Sequence, residues 1–113
     1  DRMINIHPSL LPAFKGLDVQ ERVLERGARF AGCTVHYVRK EMDTGPIIVQ
    51  AVVPVLADDT PDDLAARILV REHEIYPLAV RLIAEGRVSI DEKDRAVIAG
   101  AVSPERSVVN PEG

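Results

Sequence analysis

The chain has no tryptophan and few aromatics of any kind, 4% of its residues, so its core must be built from Val, Ile, Leu and Ala. A single cysteine, Cys33, excludes an internal disulfide and fits a reducing, cytoplasmic compartment. Its place in the apolar run 31–38 favours a buried structural thiol over a nucleophile. The net charge is −4 with no basic cluster, so neither a nucleic-acid face nor an anionic membrane surface has its electrostatic footprint here. No apolar run reaches the roughly 20 residues that span a bilayer, and no signal-peptide pattern opens the sequence. Repeats and low-complexity tracts are absent. The three histidines and the carboxylates match no standard zinc spacing, so no metal is expected.

What is present reads as one α/β domain. Ile4 to His7 has the look of a strand, and Pro8 ends it by removing a ladder donor. With no preceding turn or partner strand for this opening strand, the chain reads as the C-terminal part of a longer protein, and its uncovered edge predicts self-association, for which a homodimer is one form, or poor solubility. Two prolines and a glycine make 8–16 a loop. Asp18 is the expected cap of a helix reaching Arg26, with Val19, Val23 and Leu24 on its apolar side and Gly27 as its stop. Gly32 to Val38 alternates as a strand, Val35 and Tyr37 on one face and Thr34, His36 and Val38 on the other. Thr44-Gly45-Pro46 turns the chain into a longer apolar strand, 47–56, antiparallel to it.

Thr60-Pro61-Asp62-Asp63 joins an N-cap hydroxyl, a proline at the first helical position and two carboxylates at the positive end of the helix dipole. The helix should run to Glu85 and stop at Gly86, burying a stripe of Leu64, Ile68, Ile75, Ala79 and Leu82. Pro77 lacks the N–H owed to the His73 carbonyl, which predicts a kink there. The main unit is expected over 1–90, with short strands and a mobile tail over 91–113.

Three polar residues could carry chemistry. Asn5 and His7, two apart on a strand, point to one face at a strand's carboxyl edge, where open α/β sheets bind ligands. Asp43, five residues beyond the second strand, can reach the same edge. A carboxylate beside His7 favours imidazolium, and Asn5 adds a neutral donor, a combination that suits an oxyanion at a carbonyl carbon. Each residue also has a plainer reading. A histidine at a strand end can be a satisfied surface group, Asp43 can be a turn residue bonding its own backbone, and Glu72 can belong to a solvated helix face. His36 is expected to pack beneath or beside the site.

The strings NIHPSLLP at 5–12, GCTVHYV at 32–38, MDTGPII at 42–48 and EHEIYPLAVRLIAEGRV at 72–88 together resemble the C-terminal half of the phosphoribosylglycinamide formyltransferase family. The resemblance runs from Met3 to about Ile90. It implies the C-terminal half of a formyltransferase-type, Rossmann-like sheet: a parallel first strand, an antiparallel strand pair and a long C-terminal helix. It also implies formyl transfer from 10-formyltetrahydrofolate to the amine of glycinamide ribonucleotide in purine synthesis.

Position by position, the resemblance makes Asn5, His7 and Asp43 catalytic. It places Arg39, Lys40, Glu41, Met42 and Asp43 around the folate, and Leu69, Val70, Arg71 and Glu72 at the ribonucleotide. The partners it implies are glycinamide ribonucleotide, the folate and an N-terminal half holding the substrate phosphate, without which these 113 residues should be inactive. The chain departs from the family at Gly16-Leu17-Asp18-Val19-Gln20, where Gly-Leu-His-x-His is common. A formyltetrahydrofolate hydrolase shares the Asn, His and Asp trio, whereas Pro8 and Glu72 favour the transferase. Methionyl-tRNA formyltransferase would add a basic C-terminal domain that is not seen. A non-catalytic folate-binding or assembly module is the reading from a different class.

Overall fold

The computed structural model describes residues 3–113, so the first two residues of the unit expected over 1–90 lie outside the described residues. The elements follow in the order β1 (Ile4–His7), α1 (Val19–Arg26), β2 (Phe30–Tyr37), β3 (Ile47–Pro54), α2 (Pro61–Ala84), β4 (Val88–Ile90) and β5 (Ala96–Ile98). β1, β2 and β3 form one sheet in that order, and β4 pairs with β5 as a separate hairpin.

The direction of β1 corrects an expectation. Its partner is β2, and the pair is antiparallel, with Asn5 opposite His36 and His7 opposite Thr34. The loop and two-turn helix between them carry the chain back to the end where β1 stopped, so β2 returns alongside it. β2 and β3 are antiparallel as expected, Thr34 facing Gln50, with an irregularity at the Val35–His36 step.

Residues directly opposite in a ladder share a face, which gives this sheet two unlike sides. Ala31, Cys33, Val35 and Tyr37 of β2 pack with Val53 of β3 and with Leu64, Ile68, Ile75 and Ala79 of α2 in the hydrophobic core. These helix residues and Leu82 are the stripe read from the sequence, and all five are buried. The other side carries Asn5, His7, Thr34, His36 and Gln50. Every residue of β2 from Ala31 to Tyr37 is buried, so that polar face is covered over β2 and His7, while Asn5 and Gln50 at its flanks stay exposed.

Both helix starts were legible, but only one in detail. Thr60 accepts a hydrogen bond from the Asp63 N–H at 3.1 Å, and the Asp63 carboxylate accepts from the Thr60 N–H at 3.1 Å, forming a capping box. α2 then runs without a break through Pro77. Asp18 does precede α1, but its backbone is left-handed (φ 56°, ψ 42°) and its side chain makes no capping bond. An N-cap normally has extended backbone, and the left-handed one here departs from that geometry. Beyond β5 no regular element forms, and Asn110 donates to the Arg29 and Val55 carbonyls at 2.6 and 3.0 Å, joining the terminal segment to the ends of the sheet.

Candidate active site

The polar face of the sheet brings the expected histidine and aspartate together. His7 and Asp43 are both nearly closed off from solvent, their side chains 7% and 8% exposed, and His7 Nδ1 lies 3.6 Å from Asp43 Oδ2. That is ion-pair range but too long for a good hydrogen bond. The opposite ring nitrogen, Nε2, lies 2.8 Å from the Phe14 carbonyl oxygen. A protonated imidazole therefore finds an acceptor on each side. Asn5 stands two ladder positions further from the loop on the same face, exposed and opposite His36.

Backbone geometry fixes Asp43. It sits at φ 56°, a left-handed conformation that costs about 1 kcal/mol for a non-glycine residue. The Gly16 N–H donates to Asp43 Oδ2 at 2.9 Å, tying the carboxylate to the loop after β1. Two residues on, Gly45 is packed against β2 so closely that an added Cβ would lie 1.6 Å from the Tyr37 carbonyl oxygen. The Tyr37 N–H donates to the Pro46 carbonyl at 3.0 Å, so the turn is clamped on β2 from both sides of that peptide.

His36 packs beneath the site as expected. It is 2% exposed; Nδ1 donates to its neighbour's carbonyl at Tyr37, 2.9 Å away, and Nε2 lies 3.9 Å from Asp43 Oδ1. Asp43 thus stands between two imidazoles.

Glu72 approaches β1 from the opposite side of the sheet. With Ile6, His73, Tyr76 and Pro77 it lines a mainly apolar cavity of about 360 Å³. Burial raises its carboxyl above the ordinary range, and the charges of His73 and His7 oppose this. Its three companions on the helix are not brought to the same place. Val70 and Arg71 line a groove against Val52, Val53 and Pro54 of β3, Arg71 pairs with Glu74 at 2.7 Å, and Leu69 is about half exposed. In the loop 39–43, Lys40, Glu41 and Met42 are exposed. Arg39 is held by both carboxylate oxygens of Asp94, at 2.9 and 3.2 Å, between the two short strands. Cys33 is buried, and burial first, then the charge of Glu72, pushes its thiol up to about 11, in keeping with a structural role.

Several contributors escaped sequence reasoning. Thr34, Gln50 and Ser9 bond to the loop after β1, and Phe14 and Gly16 act through their backbones. The available signal was a polar residue inside an apolar strand, Thr34 beside His36 in β2 and Gln50 alone in β3, which names no partner.

The geometry can hold a cationic imidazole beside a carboxylate, with an amide near by, and among the described residues no three His, Cys, Asp or Glu side chains are grouped as a metal site. No described helix is long and apolar enough to cross a membrane. Against known families, the formyl transferase model matches residues 1–80. The chain belongs to the formyl transferase family. It is similar to phosphoribosylglycinamide formyltransferase of Escherichia coli, 48% identical over 91 residues that cover 80% of this chain and 43% of that protein. Among solved structures it resembles glycinamide ribonucleotide transformylase 1 from Symbiobacterium toebii, with a TM-score of 0.83 and 59% identity, covering 86% of this chain and 45% of that one. It also resembles a formyltetrahydrofolate deformylase from Pseudomonas syringae, with a TM-score of 0.80 and 35% identity over 84% of this chain and 32% of that one. This formyl transferase chain therefore spans less than half the length of each of these relatives.

Proposed function

We propose that this chain carries the groups that transfer a formyl unit from 10-formyltetrahydrofolate to the amine of glycinamide ribonucleotide, a step of purine synthesis. The observation that carries the reading is His7, with a carboxylate 3.6 Å from Nδ1 and an acceptor oxygen 2.8 Å from Nε2. In the reaction, the formyl oxygen takes the place that the Phe14 carbonyl holds. The amine attacks the formyl carbon, a C–N bond forms, and the carbonyl electron pair moves to oxygen. Donors from His7 and Asn5 meet that charge as it develops. Collapse breaks the bond to the folate nitrogen, and the proton lost by the amine ends on that nitrogen. Asp43 keeps the imidazolium in place, Glu72 contacts the ribonucleotide beside its amine, and the loop 39–43 lies along the folate. The free, buried thiol of Cys33 fits a cytoplasmic protein.

The second reading, hydrolysis of the formyl folate, is favoured by the likeness to the deformylase. The identities of 48% and 59% to transferases, against 35% to the deformylase, support transfer to an amine. The test is consumption of 10-formyltetrahydrofolate by the intact protein with and without glycinamide ribonucleotide. Dependence on the ribonucleotide is expected, and equal rates in both reactions would assign the hydrolase.

A further inference from the structure

The segment that follows His7 is not held by its own hydrogen bonds alone. Thr34, fully buried in β2, uses one hydroxyl three times. It donates to the Ser9 carbonyl at 2.7 Å, accepts from the Leu11 N–H at 3.2 Å and accepts from Gln50 Nε2 at 3.0 Å. Gln50, reaching across from β3, also donates to the Leu11 carbonyl at 3.0 Å. Ser9, 1% exposed, donates its hydroxyl to the Ala13 carbonyl at 2.6 Å. Gly32 lies under the same loop: a Cβ on it would meet the Ala51 carbonyl of β3 at 2.0 Å and Leu10 Cδ2 of the loop at 2.7 Å.

This anchored segment delivers the Gly16 N–H that holds Asp43, and the Phe14 carbonyl that occupies His7 until the formyl oxygen replaces it. We propose that Gln50 and Thr34 are positioning residues for formyl transfer, acting from β3 and β2 through the loop to set the separation of His7 and Asp43. The proposal rests on the formyl-transfer reading above. Neither side chain touches the reacting atoms. Their hydrogen bonds fix where the loop sits, and a catalytic pair displaced by about 1 Å loses on the order of 10²-fold in rate.

The experiment uses the intact protein with Gln50→Leu, Thr34→Val, the conservative Thr34→Ser, and His7→Ala for reference. Gln50→Leu and Thr34→Val should lower kcat by at least ~10-fold while each KM stays within ~3-fold, because geometry of the reacting groups is lost and substrate contacts are kept. Thr34→Ser, which keeps the hydroxyl, should restore kcat to within ~3-fold of wild type. Amide exchange at Leu11 should quicken in Thr34→Val and return to normal in Thr34→Ser. If Thr34→Val does not fold, Gln50→Leu decides, since that side chain lies at the partly open rim of the network. A wild-type kcat in Gln50→Leu, with His7→Ala impaired, overturns the positioning role and leaves the formyl-transfer reading standing. A wild-type rate in His7→Ala overturns that reading itself.

Discussion

Replacing Gly45 with alanine tests how rigidly the turn after Asp43 is seated. The added methyl group would sit 1.6 Å from the Tyr37 carbonyl oxygen, where real Cβ contacts stay beyond 3.0 Å. About 1.4 Å of movement is needed to relieve this, and the obstacle is backbone at the end of the central strand β2, which cannot rotate away as a side chain can. The movement must stretch or break the bond from the Tyr37 N–H to the Pro46 carbonyl, a loss of ~1 kcal/mol. Overpacking adds roughly 1–3 kcal/mol, so about 2–4 kcal/mol of stability should go, with Tm falling by at least roughly 4 °C. Asp43 is two residues away and moves with the turn, so kcat for formyl transfer should drop by on the order of 10²-fold. Ile68→Ala supplies the comparison. That residue is fully buried under the sheet and its truncation should cost ~2–5 kcal/mol, yet it should leave kcat near wild type below the melting temperature. Urea unfolding and steady-state kinetics on both variants separate the two effects. Wild-type stability and rate in Gly45→Ala would refute the close approach to Tyr37; equal loss of kcat in both variants would show that the turn matters only through global stability.

Other perturbations have equally definite outcomes. His7→Ala and Asp43→Asn should each lower turnover at least ~10-fold, since a positioned acid–base group contributes roughly 10²–10⁴, and steady-state rates at neutral pH check this. Burial raises the Glu72 carboxyl above its ordinary 4.5, so its contribution to stability is full below pH 4.5 and is lost as pH rises through the higher folded value. Glu72→Gln, neutral throughout, should flatten that part of the pH–stability profile, gain stability at pH 7 and weaken ribonucleotide binding, read from unfolding midpoints and KM. The Arg67 guanidinium holds Asp59, whose side chain is 4% exposed, below its ordinary 3.8. Its stabilisation is present above pH 3.8 and lost as pH falls through the lower folded value, so Asp59→Asn should unfold at lower urea than wild type at pH 7 and converge with it in acid.

Local rules reached some features of this protein and stopped at others. The stripe from Leu64 to Leu82 and the Thr60 cap were readable because helical spacing and end chemistry depend on residues only a few positions apart. The shared face of Asn5 and His7 followed from strand periodicity, and the reach of Asp43 from its short distance beyond β2. The direction of β1 against β2 was not readable, because it depends on the path of the 22 residues between them. Asp18 carries the right side chain for a cap, but its backbone is left-handed and its side chain makes no capping bond, a conformation that residue type alone does not announce. Leu69 to Arg71 were placed with Glu72 by the family resemblance; neighbours on a helix point in different directions, and here Val70 and Arg71 line a groove with β3. Gln50 was silent, since a polar residue on a strand looks solvated until the loop that lies over it is known.

The most direct measurement of the central claim follows the formyl carbon itself. The intact protein would be given 10-formyltetrahydrofolate labelled at that carbon together with glycinamide ribonucleotide, and the label traced at partial conversion. One labelled formyl-ribonucleotide is expected for each tetrahydrofolate released, with the yield collapsing in His7→Ala. Label recovered as free formate, at a rate indifferent to the ribonucleotide, would contradict this.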